Sequence, residues 1–194
     1  MKTIDKRYHS EIEVKRSKFI SFLVCVDQFE EMRKDLQAKH PKASHIVWAY
    51  RKLNEYDQIV EDSSDDGEPK GCAGKPVLNV MQGNDLIGCT ILIVRYFGGI
   101  KLGTGGMARA YSESAKAVVD VAELLIYEKE KQISFFTDYG ALRKWEYLLS
   151  GLNSLKFDRE FNENGANWSI YGPESAIFQL QEKLKDASIS FLVK

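Results

Sequence analysis

The sequence predicts an α+β protein of two domains, and three observations carry that prediction. Residues 86–97, LIGCTILIVRYF, form a nearly unbroken apolar run, as a central strand buried on both faces would. A long amphipathic helix follows, from about Gly105 to about Leu125. It gathers Met107, Tyr111, Ser114, Val118, Val121 and Leu125 on one face and Arg109, Glu113, Lys116 and Asp120 on another. Beyond a charged stretch at 128–131, strand and helix patterns run in the order β-α-β-β-α-β. The domains are therefore expected at 1–128 and 129–194.

The elements follow in order. EIEVKRSKFISFLVCV (11–26) is rich in Val, Ile and Phe and reads as a strand pair or one long bent strand. Asp27 is placed to cap the helix FEEMRKDLQAKH, in which Phe29, Met32 and Leu36 recur at helical spacing before Pro41 closes it. HIVWAYRK (45–52) alternates as a strand does. Residues 53–74 are polar, with Gly67, Pro69, Gly71 and Gly74, and read as a long loop of the kind that is mobile or functional. KPVLNVMQ (75–82) fits a short helix with Pro76 in its first turn. In the second domain come the strand QISFFTDY, the helix ALRKWEYLLSG, the strands SLKFDREF and ANWSIYG joined by NENG, the helix PESAIFQLQEKLKDA, and the strand SISFLV. That order is the ferredoxin-like arrangement, two helices over one face of an antiparallel sheet.

Composition limits the function classes. Hydrophobic residues make up 44% of 194 positions, enough for a real core. MKTIDKRYHS carries no apolar segment of the signal-peptide kind, and no apolar stretch reaches the roughly 18 residues of a membrane span, so a cytoplasmic protein is expected. Cys25 and Cys89 sit in apolar runs and are expected as reduced, buried thiols, whereas Cys72 is the exposed one. The net charge is −1, but it is unevenly placed. Residues 53–68 hold seven acids and no Lys or Arg, while 69–110 hold Lys70, Lys75, Arg95, Lys101 and Arg109 against Asp85 alone. A polarised surface is implied, not a uniformly basic one. Residues 129–194 balance nine basic against nine acidic side chains.

RYFGGIKLGTGGMARAYS (95–112) is the most pointed stretch. A P-loop would need Gly-Lys-Ser/Thr at the helix entry, and Lys101 instead precedes Gly103. Gly103 to Ala108 formally matches G-x-G-x-x-G/A, but the acid that should end the next strand is missing. Two readings stay open. In one, Gly103, Thr104, Gly105 and Gly106 present bare amides at a helix N-terminus, where the dipole favours an anion, with Arg95, Lys101 and Arg109 around it. In the other, the glycines serve a sharp turn with positive φ, and Arg109 pairs with Glu113. Tyr96 or Phe97 would add a stacking surface if exposed.

The acidic loop offers Asp65, Asp66 and Glu68, which could ligate Mg²⁺ or simply be solvated; no other cofactor is expected, and no metal site is assigned. Catalytic residues are unknown. His9, His40 and His45 lie in no metallopeptidase motif, and Ser112 and Ser114 have no histidine near them in sequence.

DDGEPKGCAGKPVL (65–78) followed by ILIVRYFGGIKLGTGGMARAYSESA (91–115) closely resembles the two motifs of the IMPACT/YigZ family. The C-terminal β-α-β-β-α-β segment is similar to the second domain of its bacterial members. The resemblance implies an N-terminal fold like the second domain of a small-subunit ribosomal protein, and a C-terminal domain like one in elongation factor G. Eukaryotic relatives act in translational control, competing for an activator of a stress-response kinase. Many members have Thr where this chain has Cys72, which speaks against a catalytic hydroxyl or thiol there. The expected function is a cytoplasmic, translation-associated regulatory protein contacting RNA or a ribosome-linked protein partner, with no membrane contact. The basic glycine-rich groove of Arg95, Lys101, Gly103–Gly106 and Arg109 would make that contact. The alternative is a Mg-dependent enzyme acting on a phosphorylated or acidic small molecule, with the acidic loop closing over the groove.

Overall fold

A computed structural model describes residues 1–152 and 154–193. The chain forms two compact units, Met1–Tyr127 and Glu128–Lys194.

The first unit runs β1 (Lys2–Thr3), β2 (Tyr8–Val14), β3 (Ser17–Cys25), α1 (Phe29–Lys39), β4 (His45–Leu53), β5 (Ile59–Ser64), α2 (Gly74–Gly83), β6 (Cys89–Tyr96), α3 (Thr104–Asp120) and β7 (Leu125–Ile126). Five strands form one antiparallel sheet in the order β2-β3-β6-β4-β5. β6 is central, and helices cover both faces. Ile91 and Ile93 face α2 and α3 through Val77, Met81, Tyr111, Ala115 and Val118. Leu92 and Val94 point the other way, onto Phe29, Met32 and Leu36 of α1. Burial on both faces is why this strand has no polar alternation, although its sheet is antiparallel.

One local expectation, the strand pair, is sharpened and three change. Residues 11–26 resolve into a hairpin that begins earlier, at Tyr8, and turns through Lys15 (φ 46°) and Arg16 (φ 65°). Two successive left-handed residues are what a two-residue hairpin turn of the right twist needs. Part of the expected loop at 53–74 is strand β5, whose only apolar residues are Ile59 and Val60. It is an edge strand, where Glu61 pairs with Arg51 and the exposed Asp62 guards an unpaired edge. Asp27 does not cap α1; it lies in a short 3₁₀ turn, Val26–Gln28, and the position before α1 is Gln28 with no side-chain cap bond. α3 stops at Asp120, leaving Val121 exposed and Leu125 paired with Thr3.

The second unit runs β8 (Glu130–Asp138), α4 (Leu142–Ser150), β9 (Lys156–Asn162), β10 (Gly165–Pro173), α5 (Glu174–Asp186) and β11 (Phe191–Val193), so the β-α-β-β-α-β order read from the sequence is the order observed. Its antiparallel sheet is ordered β11-β8-β10-β9. Ala166, Trp168 and Ile170 alternate inward from β10 and pack with Trp145 and Leu149 of α4 and Ile177, Leu180 and Leu184 of α5. The buried Trp168 indole donates to Thr137 Oγ1 at 2.8 Å. β9 is exposed along its whole length, as an outer strand.

Candidate anion-binding site at the start of α3

The segment leaving β6 turns sharply into α3, and its glycines divide by what they do. A Cβ on Gly98 would sit 2.0 Å from the backbone of Arg16, so only glycine fits against the hairpin turn. Gly103 holds φ 71° immediately before the helix, in the left-handed region. Gly105 is different. It has helical backbone and nothing within 4 Å of a would-be Cβ, so neither sterics nor φ requires glycine there.

The helix start is bare. No side chain caps it, and its first turn holds no acid. Met107 N–H donates to the Gly103 carbonyl at 2.9 Å as the helix begins. The earlier amides, of Thr104, Gly105 and Gly106, are the ones an α-helix leaves unsatisfied. Thr104, Gly105, Lys101 and Arg109 are exposed. Among the described residues, Lys101 and Arg109 make no ion pair, and the alternative pairing of Arg109 with Glu113 does not form. Arg109 instead lines a groove of about 530 Å³ between α2 and α3, with Asn79, Ser112, Glu113 and Lys116.

Arg95 departs from the expected set. It is 5% exposed, and its Nη1 donates to Glu68 Oε1 while touching Met107 Sδ at 3.6 Å. The rings of Phe19 and Phe97 lie over its guanidinium at 5.6 and 5.7 Å. Its charge is answered inside the protein, so it is not a groove cation. Phe97 is 50% exposed and offers its free face to solvent, whereas Tyr96 is half-buried and bonded to His40 at 2.7 Å.

The acidic loop is equally committed. Glu68, 8% exposed, also accepts from the Tyr111 hydroxyl at 2.8 Å, and its Oε2 lies 3.7 Å from His45 Nε2. Burial, and then the neighbouring Glu68 carboxylate, push the Tyr111 phenol well above the usual tyrosine range. Asp65 accepts from the amides of Gly71 (2.8 Å), Ala73 (3.0 Å) and Gly74 (2.8 Å), closing the loop and satisfying the start of α2. Asp66 accepts from Ile46 N–H at 2.6 Å, and its carbonyl accepts a hydrogen bond from His45 Nδ1 at 2.7 Å. Each of the three carboxylates thus braces the loop against β4, β6, α2 or α3. Among the described residues, no group of three or more His, Cys, Asp or Glu is arranged to hold a metal ion.

Acidic and basic segments therefore do meet, through Glu68 and Arg95. Sequence reading placed Tyr111 in the packed face and did not connect it to Glu68, 43 residues away. Lys116 was legible as a neighbour of Arg109 on one face, and the groove contains both.

The Impact N-terminal domain model matches residues 15–119, which span the turn, the loop and the groove. An IMPACT family member of Haemophilus influenzae is 38% identical over 187 residues, 95% of this chain and 86% of the relative. The chain belongs to the IMPACT family. A second member, YigZ of Escherichia coli, is 40% identical over 104 residues, 51% of this chain and 50% of its own length. Among solved structures, the crystal structure of a hypothetical protein overlays with a TM-score of 0.70 at 26% identity, covering 98% of this chain and 95% of that one. No helix among the described residues is long and apolar enough to cross a membrane.

Proposed function

We propose that this protein is a cytoplasmic, translation-associated regulatory protein that binds RNA at the start of α3. The observation that carries the reading is the uncapped helix N-terminus flanked by two exposed, unpaired cations, Lys101 and Arg109. Backbone amides and a helix dipole suit phosphate oxygens, and Lys and Arg add the charge that holds them. Phe97, four residues before Lys101 in the chain, is exposed and suits a stacked base. Membership of the IMPACT family, whose eukaryotic members act in translational control, supports the link to translation. The enzyme alternative draws its carboxylate from the acidic loop, and Asp65, Asp66 and Glu68 are all bonded within the protein.

Filter binding of a short single-stranded RNA across a salt series tests the reading. At about 0.7 in the salt slope per phosphate contact, Lys101→Ala with Arg109→Ala lowers the slope by about 1.4 and weakens binding at low salt. Phe97→Ala costs on the order of 1–3 kcal/mol of stacking without changing the slope. An affinity unchanged in the double variant removes this surface as the RNA site. Binding to ribosomal proteins but not to RNA would assign it to a protein partner instead.

A further inference from the structure

Two of the three cysteines, expected as separate buried thiols, lie directly opposite one another. Cys25, the last residue of β3, is the cross-strand partner of Cys89, the first residue of β6. The Val26 amide donates to the Gly88 carbonyl at 2.9 Å, and that bond fixes the register. With the bond running from the residue after Cys25 to the residue before Cys89, the cysteines themselves form a non-hydrogen-bonded pair. Such pairs hold their Cα atoms about 4.5 Å apart with side chains on the same face. A disulfide accepts Cα separations of about 4.4–6.8 Å. Both side chains turn toward the same core, that of α2 and α3. Cys89 is fully buried, while Cys25 is partly open to solvent.

We infer that Cys25 and Cys89 form an oxidation site at which a peroxide closes an intramolecular cross-strand disulfide. The Cys25 thiolate, the accessible one, attacks a peroxide oxygen; the O–O bond breaks, leaving a sulfenic acid on Cys25 and, with a hydrogen peroxide oxidant, one water once protonated. The Cys89 thiolate then attacks the Cys25 sulfur, and the S–O bond breaks with loss of hydroxide, which takes up a proton as a second water. Two thiols lose two electrons and two protons, and the peroxide is reduced to two waters.

At rest both thiols keep their protons, which slows the reaction. Burial pushes the Cys89 thiol up to about 12, and burial followed by the charge of Asp27 raises Cys25. The Cys25 thiol points to the Ile4 carbonyl at 3.5 Å, and the Cys89 thiol to the Ile87 carbonyl at 3.1 Å. Closing the disulfide removes both of these weak donors, so oxidation is felt where residues 2–4 lie beside the 85–88 turn. Lys2 N–H bonds Asp85 there, and Ile87 N–H bonds the Lys2 carbonyl.

The experiment uses the full chain carrying Cys72→Ser, which removes the thiol of the 65–74 loop as a competing partner. The protein is treated with excess hydrogen peroxide, blocked with an alkylating agent and digested without reductant. The expected product loses the mass of two hydrogens, contains a Cys25–Cys89 linked peptide pair, and reverts with dithiothreitol. Cys25→Ser in the same background leaves Cys89 reduced several-fold longer under the same peroxide. Recovery of Cys25 and Cys89 as separate free thiols or separate sulfinic acids would overturn the inference. Links found only between molecules would overturn it as well, and an unchanged rate of Cys89 oxidation in Cys25→Ser would overturn the assigned order of attack.

Discussion

In the 65–74 loop every carboxylate is answered by the protein itself, whereas in the 95–109 segment two of three cations face outward. Both stretches mix glycine with charge, and in sequence both look like ligand sites. Their difference lies in register with the fold. Asp65, Asp66 and Glu68 reach amides and an arginine that the sheet and α2 hold in place. Lys101 and Arg109 leave the core behind at the turn and meet no partner among the described residues. Composition marks where charge gathers. Only packing decides whether it is structural or available.

Four experiments can break or sharpen that contrast. The largest effect belongs to the buried pair: Glu68→Ala or Arg95→Ala strands an unpaired buried charge and costs about 3–5 kcal/mol, read as a fall in urea midpoint. If Arg95→Ala left stability intact and only weakened RNA binding, the contrast would collapse. Asp65→Ala removes the acceptor of three amides and costs about 1–3 kcal/mol, with faster hydrogen exchange at Gly71, Ala73 and Gly74 as the local signature. Gly105→Ala, at a helical position with open space around it, stabilises by up to about 1 kcal/mol; weaker RNA binding in the same variant would show that glycine is kept there for close approach. Lys101→Ala with Arg109→Ala should shift stability by less than about 0.5 kcal/mol, the separation of function from folding that exposed, unpaired side chains imply.

The brace also has a pH signature. Tyr111 in the folded protein keeps its proton above the range at which an unfolded tyrosine, near 10, gives it up. The folded state then binds more protons than the unfolded one, so stability is intact below about pH 10 and declines as pH rises beyond it. Alkaline unfolding followed by circular dichroism should show that decline, and Tyr111→Phe should blunt it.

Much of this was legible in the sequence, for local reasons. The apolar run of β6, the helical face of α3 and the alternation of β10 are each written within a single element. β5 was hidden because an edge strand bearing Glu61 and Asp62 lacks the apolar signal of a strand. The turn at Lys15 and Arg16 was hidden because neither residue type announces a left-handed backbone. The partners of Glu68 were out of reach for another reason. Arg95 and Tyr111 lie 27 and 43 residues away, and a loop carboxylate gives no local sign of being buried. The Cys25–Cys89 pairing is likewise a matter of strand register, which two apolar runs taken separately do not specify.

The placement of β6 has a consequence for how the first unit assembles. β2 with β3, and β4 with β5, are hairpins of neighbouring segments, whereas β6 enters between them and pairs with residues 18–25 and 45–51. Hairpins of this kind close within microseconds, but joining them must wait for a strand separated by many residues from both. During synthesis, the two hairpins would emerge first, each with an edge meant for β6 still open. The five-stranded sheet becomes whole only when Cys89–Tyr96 slides into that slot like the last stave of a barrel.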